Sequence, residues 1–226
     1  MKRYLLFLSL CGALSAWAQN QTVNGLKQGP WKVTYEGSAT LRYEGQFDRG
    51  TPIGTFRHYH QNGSIHAIMK FRGSTGSCYS QEFSPEGVVL AEGVYAAPGR
   101  KDSTWTIYGP NQVVLILENY RDGQLNGPYQ SFYPSGKKVE SGAMRDGNRV
   151  GEWSRWSEKG VKIRSCKYVN GQLNGIWTEY DNSGRPLLRG TYLNDLKEGQ
   201  WVEYESGKPK TTYSYVNGRL VEENAE

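Results

Sequence analysis

The sequence predicts an all-β protein, built as one elongated, twisted antiparallel sheet of tandem β-hairpins. Three observations predict this fold. A unit of about 24 residues recurs along the chain, and each unit places aromatic residues and glycines at fixed positions. In addition, no segment keeps the 3.6-residue period of an amphipathic helix over even three turns. A unit this short cannot bury its own apolar face, so it must stack on its neighbours.

The repeat is clearest in two nearly identical stretches that begin 48 residues apart. They are GQLNGPYQSFYPSG, from Gly123, and GQLNGIWTEYDNSG, from Gly171. A related stretch, GNRVGEWSRWSEKG, begins midway between them at Gly147. We take as position one the residue, usually glycine, that stands two residues before the first aromatic residue of a unit. About eight units then follow one another, beginning at Gly29, Gly54, Cys78, Ser103, Gly127, Gly151, Gly175 and Gly199.

Aromatic residues recur at the third and sixth positions of the unit. The third position is occupied by Trp31, Phe56, Trp105, Tyr129, Trp153, Trp177 and Trp201, with Ser80 as the exception. The sixth position is occupied by Tyr59, Phe83, Tyr108, Phe132, Trp156, Tyr180 and Tyr204. Because the two positions differ by an odd number, a regular strand points them to opposite faces. We therefore expect aromatic ladders on both faces of the sheet.

Glycines divide each unit into two strands and two turns. A glycine four residues after the sixth position supplies the positive φ of a tight hairpin, and Asn-Gly or Asp-Gly pairs mark the second turn. Other glycines lie within strands, where a neighbouring ring can cover the bare backbone. Eight units of two strands would give a ribbon about 75 Å long.

The chain divides into four predicted segments. Residues 1–18 have Lys2 and Arg3, a short apolar run and small residues before Gln19, which is typical of a cleaved secretory signal. A lipid anchor at Cys11 is the alternative, although Leu10 precedes it where a small residue is expected. Residues 19–28 are predicted to be a flexible polar lead-in, residues 29–222 the repeat domain, and residues 223–226 an acidic tail that protects the last strand edge. We expect export to a periplasm, the cell surface or the medium.

The pattern G-x-W-x-x-Y, followed by a hairpin glycine and a G-x-Y pair, resembles the MORN repeat. Endings such as YVNGQLNG and NYRDGQLNG resemble its variant form in bacterial secreted and antitoxin-like proteins. The resemblance covers residues 25–220, and the unit at Cys78 departs from it most, because Ser80 replaces the aromatic residue. It implies a repeat scaffold, lipid contact or an antitoxin-like role.

Charge and cysteine content exclude several classes of function. Without Lys2 and Arg3, 25 basic residues face 22 acidic ones, which is too even a balance to predict a nucleic-acid partner. Neither the apolar run of the signal nor any other apolar stretch is long enough to predict a transmembrane segment. Cys78 and Cys166 lie about 35 Å apart along the predicted ribbon, well beyond the reach of a disulfide bond. We expect two small, partly buried thiols.

The three histidines, His58, His60 and His66, fall in one predicted hairpin and are a weak candidate metal site. A three-residue turn would place all three rings on one face, where Zn²⁺ or Cu²⁺ could bind. A two-residue Asn-Gly turn would send His66 to the other face. Side chains at the equivalent positions of other units are simply polar, so the prediction favours solvated side chains and no metal.

The sequence predicts a protein that is not an enzyme and needs no cofactor. It lacks a nucleophile elbow, a zinc-protease motif and a phosphate-binding glycine loop, and signal plus repeats occupy the whole chain. We expect a scaffold that presents an extended sheet to an unidentified protein partner, with the third-position aromatics as candidate binding residues. The alternatives are a module that binds lipid or cell-wall glycan, and an antitoxin or immunity-like protein.

Overall fold

The structure is a computed structural model that describes residues 19–225, so the predicted signal lies outside the described residues. Of these residues 69% are in β-strands, the rest are mostly turns, and there is a single 3₁₀ turn at Pro110–Gln112. The strands are β1 Gln21–Val23, β2 Leu26–Thr34, β3 Leu41–Asp48, β4 Thr51–Tyr59, β5 Ile65–Phe71, β6 Cys78–Phe83, β7 Val89–Ala97, β8 Arg100–Tyr108, β9 Val114–Arg121, β10 Gln124–Leu125, β11 Gly127–Phe132, β12 Lys138–Arg145, β13 Asn148–Trp156, β14 Lys162–Val169, β15 Gln172–Leu173, β16 Gly175–Tyr180, β17 Pro186–Leu193, β18 Leu196–Glu205, β19 Lys208–Val216 and β20 Arg219–Ala225.

The strands form one antiparallel sheet in which each strand pairs with the next along the chain. Two places depart from this simple order. β9 pairs with both β10 and β11, and β14 pairs with both β15 and β16. Each of these short strands is the first part of an interrupted full-length strand. The predicted fold, an elongated twisted sheet of successive hairpins, is therefore confirmed.

The two GQLNG stretches form the same interruption. In each, a two-residue turn leads into a short strand that breaks at Asn126 or Asn174. The backbone N–H of Asn126 donates to the carbonyl of Asn119, and that of Asn174 donates to the carbonyl of Lys167. The following glycines have φ of 119° and 125°, a region that side chains disfavour. The near-identity of the two stretches thus reflects one strained backbone path that is used twice.

A β-bulge lies opposite four strand glycines and brings an aromatic ring over each of them. Around Gly142, for example, the register passes from Ser141–Ser154 to Ala143–Val150, so the neighbouring strand carries extra residues. This bulge lays the ring of Trp153 across the Gly142 backbone. The other pairs of glycine and covering ring are Gly45 with Phe56, Gly93 with Trp105, and Gly190 with Trp201.

These four pairs show that the packing period is twice the hairpin period. The covering rings are the best buried large side chains, with Trp105, Trp153 and Trp201 at most 2% exposed. On its other side each ring faces a residue that is not glycine: Met69, Glu118, Cys166 or Tyr213. At the strand position that faces a third-position ring, glycine therefore recurs only in alternate units. Four strands rather than two form the packing unit.

All third-position aromatics lie on one face of the sheet, which we call the ring face. Cross-strand pairs carry this face along the sheet, because Tyr129 faces Gly142, Trp153 faces Cys166 and Trp177 faces Gly190. Sixth-position tyrosines make their hydrogen bonds on the other face, to side chains that include Glu44, Glu92 and Ser165. The predicted separation of the two aromatic positions is confirmed for these residues.

The two ends of the sheet differ from the predicted segments. Residues predicted to be a flexible lead-in form β1 and the start of β2, joined by a turn at Asn24 and Gly25. The side chain of Trp31 donates to the carbonyl of Gln21, which holds β1 in place although its side chains are exposed. At the other end, the predicted acidic tail begins inside β20, an exposed strand that pairs with β19 alone.

Candidate binding face

The seven predicted binding residues all lie on the ring face, but they differ in exposure. Phe56, Trp105, Trp153 and Trp201 are buried against glycines, so their rings chiefly hold the sheet together. Trp31, Tyr129 and Trp177 are only half-buried. Of the predicted set, these three can offer ring surface to a partner.

Edge-to-face contacts join the rings into ladders along the ring face. Tyr192 lies between Trp177 and Trp201, with ring centroids 5.4 Å and 5.0 Å away. Trp153 also lies between two tyrosines, tilted by 33° from Tyr129 and edge-to-face with Tyr168 at 77°. Interplanar angles of 68° and 87° at Tyr192 put ring edges against ring faces, the arrangement that the aromatic quadrupole favours. The face is therefore a rigid aromatic surface rather than a set of isolated side chains.

A cation covers each buried tryptophan, and sequence reasoning missed these residues. The terminal groups of Lys101, Arg149 and Lys197 lie 4.1 Å, 4.0 Å and 4.4 Å from the ring centroids of Trp105, Trp153 and Trp201. Such contacts are attractive because the ring face is electron-rich. The sequence does contain a pattern that could have identified them, because each cation stands four residues before its tryptophan in alternate units.

Carboxylates on the ring face are paired with donors. Arg149 donates to both oxygens of Glu140, at 3.1 Å and 2.8 Å, and Arg164 lies 3.6 Å from the same carboxylate. Burial lowers the pKa of Arg149, but the hydrogen bonds to Glu140, the charge of Glu140 and smaller contributions from Tyr168 together outweigh burial, so the net pKa is raised. The ring face thus carries both signs of charge, which disfavours a purely electrostatic partner.

The opposite face holds a hydrogen-bonded cluster around Glu92. The hydroxyl of Tyr108 donates to Glu92 Oε1 at 2.7 Å, and the amide of Gln81 donates to Oε2 at 2.9 Å. The Tyr108 hydrogen bond, with smaller contributions from Tyr79 and Gln81, lowers the pKa of Glu92. Burial, together with Glu92, raises the pKa of Tyr79 to about 12. These groups stay in one protonation state near neutrality, which suits a structural role.

The histidine hairpin has neither of the predicted registers. His60 pairs with Ser64 through its backbone, but a bulge then pairs His58 with Ala67 instead of His66. The rings of His60 and His66 lie 4.6 Å apart, whereas His58 packs against Tyr43. Within residues 19–225 no group of three or more metal-ligating side chains converges. The bulge therefore separates His58 from the other two rings.

Both cysteines of the described region are buried and free. Cys166 faces Trp153 at a position that alternate units give to glycine, and Cys78 faces Tyr95. Burial raises the pKa of both thiols, so little thiolate forms near neutrality. They act as small packing residues.

No protein-family model matches this chain, and no curated protein matches it significantly in sequence. The likeness to MORN repeats therefore depends on the glycine and aromatic pattern alone. In the part of the chain that the structure describes, no helix has the length and apolar character of a membrane span.

Proposed function

We propose that this protein is a non-enzymatic repeat scaffold that presents its ring face to a protein partner. The observation that carries the proposal is the row of aromatic clusters along this face, in which the half-buried rings of Trp31, Tyr129 and Trp177 accompany fully buried ones. Tryptophan, tyrosine and arginine are the residues that most often anchor protein interfaces. Because the backbone beneath them is a rigid sheet, little ordering entropy would oppose binding.

The proposal includes a MORN-like repeat and export from the cytoplasm. The resemblance and the signal-like residues 1–18 support these two parts. A role without catalysis is supported by the hydrogen bonds of Glu92 and Glu140, which engage both oxygens of each carboxylate in structural pairs. An immunity-like role in the envelope would be a special case of the same scaffold.

Binding of lipid or glycan is the alternative that the test must distinguish from binding of a protein partner. The positive charge of the ring face is interrupted by carboxylates, since Glu140 lies within salt-bridge distance of both Arg149 and Arg164, whereas an anionic membrane attracts an unbroken basic cluster. The buried tryptophans are also covered by cations rather than open to a sugar ring. Both features favour a protein partner.

The test compares the two faces of the sheet in chemical crosslinking and affinity purification from the host envelope and medium. A ring-face variant, Tyr129→Ala with Trp177→Ala, should lose a stoichiometric protein partner. The matched control, Phe132→Ala with Tyr180→Ala, removes two aromatics from the same two hairpins and should retain the partner. Circular dichroism of both variants checks that each remains folded.

Two outcomes would overturn the proposal. One is equal retention of the partner by the ring-face variant and the control, because binding would then not use the ring face. The other is sedimentation of the wild-type protein with phospholipid vesicles or cell-wall sacculi in the absence of any protein partner, which would establish the alternative function.

A further inference from the structure

An apolar pocket opens on the ring face, close to the six-residue turn between β5 and β6. Its volume is about 290 Å³, near the lower end of ligand pockets, and suits a group of one or two rings. Its walls are almost entirely carbon and include Phe47, Pro52, Phe56, Met69, Phe71 and Pro98.

The pocket exists because the first four-strand unit carries smaller residues than the others. Pro52 stands where later units have Lys101, Arg149 and Lys197, which lie over the tryptophan rings. Phe56 stands in place of those tryptophans. Gly76 stands four residues before the third position of its unit, where the two GQLNG units have Leu125 and Leu173. At each of these three positions the side chain is therefore smaller than its counterparts in later units.

The remaining rings are arranged as walls around this space. Phe47 and Phe71 each lie 5.1 Å from Phe56, with interplanar angles of 89° and 72°. Tyr43 lies nearly parallel to Phe56, at 6.4 Å and 25°. A flat aromatic guest could therefore find both ring faces and ring edges to contact, which are the two favoured aromatic geometries.

The charges at the rim favour a guest without a positive charge. Lys27 Nζ lies 4.8 Å from the Phe47 ring and 5.6 Å from the Tyr43 ring, and it donates to the Tyr43 hydroxyl at 3.0 Å. Its positive charge therefore lies beside two rings of the pocket wall and would repel a cationic guest. Burial, with smaller contributions from His66 and Arg42, lowers the pKa of His58, so this rim residue is neutral near pH 7.

We propose that this pocket binds an uncharged aromatic side chain of the partner polypeptide. The proposal rests on the proposed function, since it names the anchor by which the partner would hold the ring face. An aromatic anchor in a desolvated pocket is the usual form of an interface hot spot. The guest would restore the ring packing that the first four-strand unit lacks.

The test uses N-acetyl-L-tryptophan amide, a neutral mimic of a tryptophan in a polypeptide, and protein labelled at the methionine methyl groups. Met69 lines the pocket, whereas Met144 lies in a different four-strand unit and is an internal reference. The probe should shift the Met69 methyl resonance saturably and leave that of Met144 unchanged. Cationic tryptamine should bind at least about fivefold more weakly, because Lys27 opposes a second positive charge.

A filled-pocket variant, Pro52→Lys with Phe56→Trp, copies the Lys101 and Trp105 arrangement of the next four-strand unit. We expect it to fold, because Gly45 provides the bare backbone that Gly93 provides beneath Trp105. It should no longer bind the probe. A Met69 shift that persists in this variant, a shift shared equally with Met144, or equal binding of tryptamine would overturn the pocket as an uncharged aromatic site.

The affinity of the filled-pocket variant for the partner distinguishes a failure of this inference from a failure of the proposed function. If the filled-pocket variant loses the probe and also binds the identified partner at least about tenfold more weakly, the inference holds. If it loses the probe but binds the partner as well as wild type does, the pocket is not the anchor, although the scaffold function stands. Failure of the ring-face variant described above to affect the partner overturns the function without reference to the pocket.

Discussion

The indole ring of Trp153 lies flat against the backbone of Gly142, leaving no room for a side chain there. A Cβ atom added to Gly142 would overlap the six-membered and five-membered parts of the ring. The same contact joins Gly190 to Trp201, Gly93 to Trp105 and, with a smaller ring, Gly45 to Phe56. This contact, repeated along the sheet, gives a single layer of strands its buried core.

Gly142→Ala should therefore be strongly destabilising. The ring is rigid and the bulge fixes its position, so we expect a loss of about 3 kcal/mol in the free energy of unfolding, the upper end for overpacking. Gly160→Ala is the matched control, because a Cβ there meets nothing within 4 Å and only its φ of 86° is unfavourable. It should cost about 1 kcal/mol. Urea unfolding measures both, and equal losses would show that ring overlap is not the cause.

Arg149→Leu tests the cation above Trp153 with a residue that the GQLNG units use at the same position. It removes the cation–π contact and the two hydrogen bonds to Glu140, so we expect a loss of about 2–3 kcal/mol in unfolding free energy. Lys197→Leu is the control, because it removes only the cation above Trp201 and Tyr215 and should cost about 1 kcal/mol. A smaller loss for Arg149→Leu than for Lys197→Leu would contradict the role given to Glu140.

The hydrogen bond from Tyr108 to Glu92 should make stability depend on acid pH. The folded-state pKa of Glu92 lies below its ordinary value of 4.5, so ionised Glu92 stabilises the fold above that value. The contribution is lost as the pH falls through the lowered folded-state pKa. Tyr108→Phe should therefore lower the melting temperature near neutral pH, and its deficit from wild type should shrink as the pH falls below 4.5 and through the lowered pKa of Glu92.

Tyr180→Phe is the matched control for this pH dependence. Tyr180 occupies the same repeat position, but its hydroxyl bonds to Ser165, which does not titrate in this range. Its deficit in melting temperature should stay constant between neutral and acid pH. A deficit of Tyr108→Phe that is equally constant would show that the hydrogen bond does not stabilise the ionised carboxylate.

A deletion of two hairpins should be tolerated better than a deletion of one. Removing residues 127–174 deletes one four-strand unit and joins Asn126 to Gly175, which rebuilds the GQLNG segment without a change of sequence. Removing residues 151–174 instead deletes Trp153, the ring that covers Gly142, and breaks the alternation. Far-UV circular dichroism and thermal unfolding should show cooperative folding for the first deletion and a lower melting temperature for the second. A lower melting temperature for the first deletion than for the second would show that the packing period is a single hairpin.

The sequence alone determined the fold class, the hairpin period and the face that each aromatic position occupies. These follow from local chemistry, because Asn-Gly and Asp-Gly pairs set the turns and the alternation of a strand sets the faces. The glycine-like role of Cys166 was also visible by aligning units. The sequence did not reveal β1, whose side chains are all exposed and which is held by pairing with β2.

Only the tertiary structure decided which rings are buried and which remain available. Trp153 and Trp177 occupy the same position of the unit, yet only Trp153 is buried, since a bulge carries it over the glycine of the preceding strand. The bulge near His58 separated the histidines, and the small residues Pro52, Phe56 and Gly76 opened a pocket. Bulges and cavities depend on how neighbouring strands fit together, and that fit cannot be read from one strand at a time.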